Sequence, residues 1–365
     1  MLSRNGWANS SVAIGVLQSP PVPVTLSTQG EPLLDHLACF TPEDLRATVA
    51  PDLAAYRWRL LIQGDSWFSS APAKINAHAN LLQEMLFRQA TCGINCAGLS
   101  EGLSRLVDLV DVAAAADFLR LLCGPEAPLW DGLLLSVGGN DLIMAAQTPA
   151  HMGHSSDGHA VPLHLRLLRH QTEWGPPSAG VARYFSEPGW DSFSNYLRAN
   201  IQHLLSLRDQ GPSIGKPVFI HCYAVPTPRP ANTEMPGHGP WLYPALKACA
   251  LPSADWVAIS RLMVFHLAAL LKSMAADQAL FPGLQVFDST AVPLAPATVA
   301  HNSNGNGNGS SHSSHGDWHD EIHLNHSGCL KIARAWSEDI ESVLNGVKRV
   351  EPGKAGKPSR KRKSA

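Results

Sequence analysis

A chain of 365 residues with 45% hydrophobic content can bury a full core and is long for one domain, which favours a single domain carrying insertions over two domains. The net charge of −2 hides an asymmetry: residues 348–365 hold eight Lys/Arg against one Glu, a balance of +7 that leaves about −9 on the remainder. Seven cysteines without framework spacing exclude a disulfide scaffold, the N-terminus lacks the pattern of a secretory leader, and no apolar run nears the ~18 residues of a membrane span. A cytoplasmic, reducing setting is the expectation.

Residues 1–56 are rich in Pro, Ser and Thr and read as an extension, with one short helical candidate opening at Thr41-Pro42-Glu43. The main domain is expected over 57–347. Its first apolar run, Trp58 to Gln63, is closed by Gly64, and helical spacing follows from Ile75 to Ala90 through Leu81, Leu82, Met85 and Leu86. A second run, Ile94 to Ala97, is closed by Gly98, and a helix is predicted from Ser100 to Leu122 with Leu103, Leu106, Val107 and Val110 on one face. The third run, Leu133 to Val137, ends in Gly138-Gly139.

Two later runs, Val218 to Tyr223 and Leu284 to Asp288, flank a helix predicted from Asp255 to Gln278. The last helix is predicted to begin at Asn325, a good N-cap, to turn Leu330, Ala333, Trp336, Ile340 and Leu344 inward, and to stop at Asn345-Gly346. Short apolar strands alternating with amphipathic helices indicate a parallel sheet covered on both faces, whose functional groups gather at the carboxyl ends of the strands. Pro/Gly/His-rich insertions at about 147–190 and 226–252 follow the third and fourth strands and are expected to shape a pocket on that side. Residues 301–316 form a low-complexity Asn/Gly/Ser/His loop, and 348–365 a disordered basic tail.

Three short motifs carry chemistry: Gly64-Asp65-Ser66, Gly139-Asn140-Asp141 and Asp320-Glu321-Ile322-His323. A serine hydroxyl is a weak nucleophile at neutral pH and needs an adjacent base, while the base needs a partner that fixes its tautomer. Ser66 supplies the hydroxyl, His323 the base and Asp320 the orienting carboxylate. The N–H groups of Ser66 and Gly98 and the side-chain amide of Asn140 are candidate donors to an oxyanion. Each motif alone has a plainer reading, as a turn, a loop or helix-capping chemistry. Their order, each at a strand end or a helix start, favours the catalytic reading.

These residues resemble the sequence blocks of the SGNH, or GDSL-type, hydrolase family, over roughly residues 57–347. The resemblance implies a three-layer α/β/α flavodoxin-like fold with a five-stranded parallel sheet, and a metal-free esterase acting on carboxylic esters or thioesters, with no cofactor. Carried over by position, it implies Ser66 as nucleophile, His323 as base, Asp320 as its orienter, and Ser66, Gly98 and Asn140 as the oxyanion hole. Two departures bear on substrate: Trp67-Phe68 follow the serine where the family often has Leu and a further Ser, and Leu324 follows the histidine where Pro is common. Trp67 and Phe68 are therefore expected in the substrate pocket, and a small-molecule, lipid or sugar ester is the expected partner.

Other assignments compete locally. Asp317 and Glu321 are alternative orienters, His319 and His326 alternative bases, and Gly93 a rival to Gly98 placed before its strand. His301, His312, His315, His319, His323 and His326 are dense enough to raise a metal-dependent hydrolase as a rival, although no Cys or carboxylate stands at tight ligand spacing. A catalytically silent binding protein is a second rival. The basic tail raises nucleic acid as a further, less favoured partner.

Overall fold

The computed structural model describes residues 34–69, 79–97, 105–152, 159–231, 239–298 and 315–346. Six short strands form one parallel sheet: β1 (Ala38–Phe40), β2 (Trp58–Gly64), β3 (Thr91–Asn95), β4 (Gly132–Ser136), β5 (Val218–His221) and β6 (Leu284–Phe287). They lie in the order β6-β5-β4-β2-β3-β1. The apolar runs Leu60 to Ile62 and Leu133 to Leu135 are fully buried, as a parallel sheet covered on both faces demands. Five strands were expected; the sixth comes from residues assigned to the N-terminal extension, where Ala38–Phe40 pairs with Cys92–Ile94 at the sheet edge.

Eight helices surround the sheet among the described residues: α1 (Leu81–Glu84), α2 (Leu106–Leu109), α3 (Ala116–Cys123), α4 (Gly139–Gln147), α5 (Glu187–Gln210), α6 (Leu242–Ala248), α7 (Trp256–Ala276) and α8 (His326–Leu344). Chain order reverses between β2 and β4, so right-handed crossovers place α1 on one face and α2 to α7 on the other. The packing agrees, with α8 against α1 and α5 against both α2 and α3. The switch point between β2 and β4 is where such sheets bind ligands. Gly64 and Ser136 end these two strands side by side, and a Cβ on Gly64 would stand 2.8 Å from that of Ser136.

Several predicted elements need correction. Of the helix expected over Ile75 to Ala90, residues 75–78 lie outside the described residues, and the rest is a single turn, α1, followed by a short strand, Leu86–Phe87, which pairs antiparallel with Asp35–His36. The amides of Arg88 and Gln89 bond to Glu341 at 2.9 Å instead of continuing a helix. The helix expected from Ser100 to Leu122, of which 100–104 lie outside the described residues, is broken from 105 onward into α2 and α3, because the Asp111 side chain accepts the amides of Ala113 and Ala114 and restarts the chain there. Gly93 lies within β3, not before it.

The longest helix, α5, was not anticipated. Its start carries Pro188-Gly189, which reads as a loop, yet Pro is tolerated in a first turn and Ser186 caps it by accepting the amide of Gly189. The segment Ser253–Ala276 is long and apolar enough to cross a membrane by length and composition, contrary to the sequence reading, although no membrane enters the structure. One face of α7, including Ile259, Met263, Leu267 and Leu271, is buried in the core. α8 follows expectation in its bounds, with Asn325 accepting the amide of Gly328, and in the burial of Ala333, Trp336 and Ile340; Ile332 is buried as well, whereas Leu330 and Leu344, expected inward, are only half-buried.

The first insertion contains a two-residue antiparallel pairing, His151–Met152 with His159–Ala160. It is organised around the buried Arg166, which donates to Val161 O and Leu168 O at 2.9 Å and to Glu173 at 2.5 Å. The second insertion contributes α6. All seven cysteines are free thiols. Residues 1–33, most of the low-complexity loop and the basic tail, for which an extension, a loop and a tail are expected, lie outside the described residues.

Candidate active site

Ser66 follows β2 directly and is half-buried. The Asp65 main chain accepts the amides of Phe68 and Ser69 at 3.0 and 3.1 Å, and its carboxylate accepts the amide of Trp67 at 3.1 Å. That tight turn lifts the serine out of the sheet. Beneath it lies a buried polar network: Ser136 Oγ donates to Asp65 Oδ1 at 2.6 Å, Tyr223 Oη donates to Asp65 Oδ2, and His221 Nε2 lies 2.9 Å from Ser136 Oγ. Burial raises the Asp65 pKa, opposed by the Ser136 and Tyr223 hydrogen bonds.

Ser136, His221 and Asp65 are the residue types of a triad, but their bonding is different. Burial pushes the His221 pKa down to about 3, so its ring is neutral at physiological pH. Its Nδ1 accepts the Tyr223 amide at 3.3 Å, so Nε2 carries the proton and donates to Ser136 Oγ, which in turn donates to Asp65. A histidine that donates to a serine cannot take its proton. Ser136 and His221 are also both fully buried. The network supports the Ser66 turn from below.

The third motif brings the base to Ser66 from 257 positions along the chain. His323 Nε2 lies 2.7 Å from Ser66 Oγ, and His323 Nδ1 lies 2.7 Å from Asp320 Oδ2. The other Asp320 oxygen accepts the amides of Ile322 and His323 at 2.9 and 2.8 Å. Burial raises the Asp320 pKa, but the hydrogen bond and charge of His323 and the two amides outweigh it and hold the carboxyl below its usual range. Asp320 is therefore ionised at neutral pH, as an orienter of imidazole must be. The Trp241 ring stands edge-on to His323, with centroids 5.0 Å apart.

The competing orienters have other duties. Asp317 accepts Ala295 N–H and Lys331 Nζ, each at 2.6 Å, and Ser327 Oγ at 2.8 Å. Glu321, fully buried, accepts four main-chain amides: those of Arg229 and Tyr243 on Oε1, and those of Trp241 and Leu242 on Oε2. Burial pushes its pKa up to about 7 against those four donors. Sequence reasoning treated Glu321 only as an alternative orienter, and its partners lie about 80 residues away with no local signal. His326 pairs with Glu84 at 2.7 Å. Among the described residues, no three His, Cys, Asp or Glu are grouped to hold a metal ion.

A small apolar cleft, partly open to solvent, adjoins the site between α4, α6 and α7. Trp67, Asn140 and Ile322 line it together with Leu142, Leu242 and Met263. Asn140 is the second residue of α4, whose entry through Gly138 takes φ +95°, a left-handed conformation suited to glycine. Asp141, beside it, accepts Tyr196 Oη at 2.6 Å and the Leu106 amide at 3.0 Å, so it ties α4 to α2 and α5. Phe68, expected beside Trp67 in the pocket, is instead fully buried and stacked on Trp336. The turn that exposes Ser66 directs the second aromatic ring into the core. Gly98 lies outside the described residues.

No family model and no curated protein matches the chain. Among solved structures it is similar to an extracellular lipase from Streptomyces rimosus, at 14% identity over 64% of this chain and 81% of that one, with a TM-score of 0.31. It is also similar to a variant of an acetyl-xylooligosaccharide esterase from Geobacillus, at 13% identity over 78% and 94% of the two chains, with a TM-score of 0.37. At these identities and TM-scores, neither likeness bears on the chemistry of this chain.

Proposed function

We propose that the protein is a serine esterase that cleaves carboxylic esters or thioesters through an acyl-enzyme, of the SGNH type that its sequence blocks resemble. The observation that carries this reading is the unbroken chain from Ser66 Oγ through His323 to Asp320, with 2.7 Å at each step. It stands at the carboxyl ends of the strands, beside an apolar cleft.

His323 Nε2 takes the Ser66 proton as Oγ attacks the ester carbonyl carbon. The carbonyl π pair moves onto oxygen, and the reading assigns the Ser66 N–H, the Asn140 side-chain amide and the Gly98 N–H as its donors. Asp320 holds the imidazole tautomer and stabilises its charged form. Collapse of the intermediate expels the alcohol, or thiol, which takes the proton from His323. Water, deprotonated by the same ring, then releases the acid and restores Ser66. The apolar walls of the cleft suit the acyl group of a short or medium chain.

Turnover of p-nitrophenyl acetate and butyrate by wild type and Ser66→Ala tests the reading. Hydrolysis by wild type that is abolished in Ser66→Ala is the expected result, and equal rates remove Ser66 from the mechanism.

A further inference from the structure

Glu321 is a buried ionisable group that the proposed chemistry does not use. It lies between the orienting Asp320 and the base His323, yet its carboxylate points away from both duties, toward the second insertion. Its two oxygens accept the amides of Arg229, Trp241, Leu242 and Tyr243. These groups all lie within the insertion: Arg229 near its start, well beyond the end of β5, and residues 241–243 where the chain enters α6. Four main-chain donors thus converge on one buried carboxyl group and tie three consecutive amides and a distant one to the same side chain.

The segment so held matters to the site in two ways. Trp241 packs its ring edge-on against His323, at 5.0 Å and 81°. Leu242, the next residue, lines the apolar cleft together with Ile322, the residue after Glu321. Arg229 closes the same connection from the other side by donating Nη2 to the main-chain oxygen of Asp320 at 2.6 Å. One carboxylate thus fixes both the ring beside the base and a wall of the cleft.

We propose that Glu321 is a positioning residue that holds the second insertion against the 320–323 loop, setting the orientation of His323 through Trp241 and the width of the acyl cleft through Leu242. The kinetic part rests on the esterase reading, whereas the tether itself does not. Loss of the tether lets two independent things move, and they report on different kinetic constants. A displaced imidazole lowers kcat for every ester, and a displaced Leu242 raises KM only for esters whose acyl chain reaches the wall.

The test uses the full-length chain and Glu321→Gln, which keeps shape and volume but replaces one acceptor oxygen with a donor, alongside Glu321→Ala. With p-nitrophenyl acetate and hexanoate as probes, Glu321→Gln is expected to lose about tenfold in kcat on both. KM is expected to rise about threefold for the hexanoate only. Wild-type constants on both esters would overturn the proposal. So would an equal fall in apparent kcat with unchanged KM that tracks the unfolded fraction, the signature of a merely structural brace. Amide hydrogen exchange over residues 240–248 supplies the arm independent of turnover: faster exchange in Glu321→Gln, with α8 unchanged, is expected, and unchanged exchange refutes the tether. Absence of Ser66-dependent turnover in wild type would count against the esterase reading alone, and the exchange arm would still decide the tether. If Glu321→Ala does not fold, Glu321→Gln carries the measurement.

Discussion

The two halves of the candidate site, the one that carries the proposed nucleophile Ser66 and the one that carries the proposed base His323, are built by different means. Ser66 sits on a turn that leaves a central strand, and the turn rests on side chains contributed by three neighbouring strands or their ends: Asp65 after β2, Ser136 on β4, and His221 and Tyr223 at the end of β5. Strand pairing fixes the strand ends that carry these residues relative to one another. His323 has no strand beneath it. Residues 315–325 are held by a Trp318–Leu324 bridge with its main-chain bonds and by carboxylates that collect main-chain amides: Asp320 from Ile322 and His323, Glu321 from the second insertion, and Asp317 from Ala295. Sheet geometry positions the serine, and hydrogen-bonded carboxylates position the histidine, so the two halves should fail differently when perturbed.

The largest effect is expected on the base side. Asp320→Asn removes the charge that holds the His323 tautomer while keeping the shape, and kcat should fall on the order of 10⁴-fold with near-native thermal stability. A loss below about tenfold would mean that the main chain alone orients the ring. Asn140→Ala is expected to cost on the order of 10²–10³ in kcat, about 2.7–4 kcal/mol, with little change in KM. A KM effect without a kcat effect would reassign Asn140 to ground-state binding.

On the nucleophile side the expected signature is in stability. Ser136→Ala leaves Asp65 and His221 each short of a partner in a fully buried network, at a cost of about 1–3 kcal/mol in thermal or urea unfolding. Activity of the folded fraction should stay within about tenfold of wild type, because the hydroxyl takes no part in acyl transfer. Loss of all turnover with unchanged stability would make Ser136 the nucleophile and invert the comparison.

The smallest effect concerns pH. The fold raises the Glu321 pKa from 4.5 to about 7, so the folded protein holds this proton more tightly than the unfolded chain does. The associated stability is complete below the unfolded value and is lost as pH rises through the folded one. The difference in Tm between wild type and Glu321→Gln should therefore shift against wild type as pH rises from about 5 to about 8. A difference independent of pH would show that Glu321 does not titrate in this window.

The two halves were also unequally legible in the sequence. Ser66, Asn140, Asp320 and His323 carry local signals, because each sits at a strand end or beside a helix start that apolar runs and caps mark. Asn325 announces α8 three residues later through Gly328. What escaped notice depends on distant partners. Glu321 finds its amides in a Pro/Gly-rich insertion, and the Ala38–Phe40 strand exists only because β3 offers it an edge. Phe68 reads as a pocket residue until the turn at Asp65 directs it onto Trp336. Asp111 ends a helix that apolar spacing alone would continue.

The central claim is that Ser66, and not the buried Ser136, is the acylated residue. Covalent labelling with a fluorophosphonate, followed by peptide mapping, tests it most directly. The expected result is one adduct on Ser66 in wild type, lost in Ser66→Ala and slowed in His323→Ala. An adduct on Ser136, or ester turnover that persists in Ser66→Ala, would contradict it.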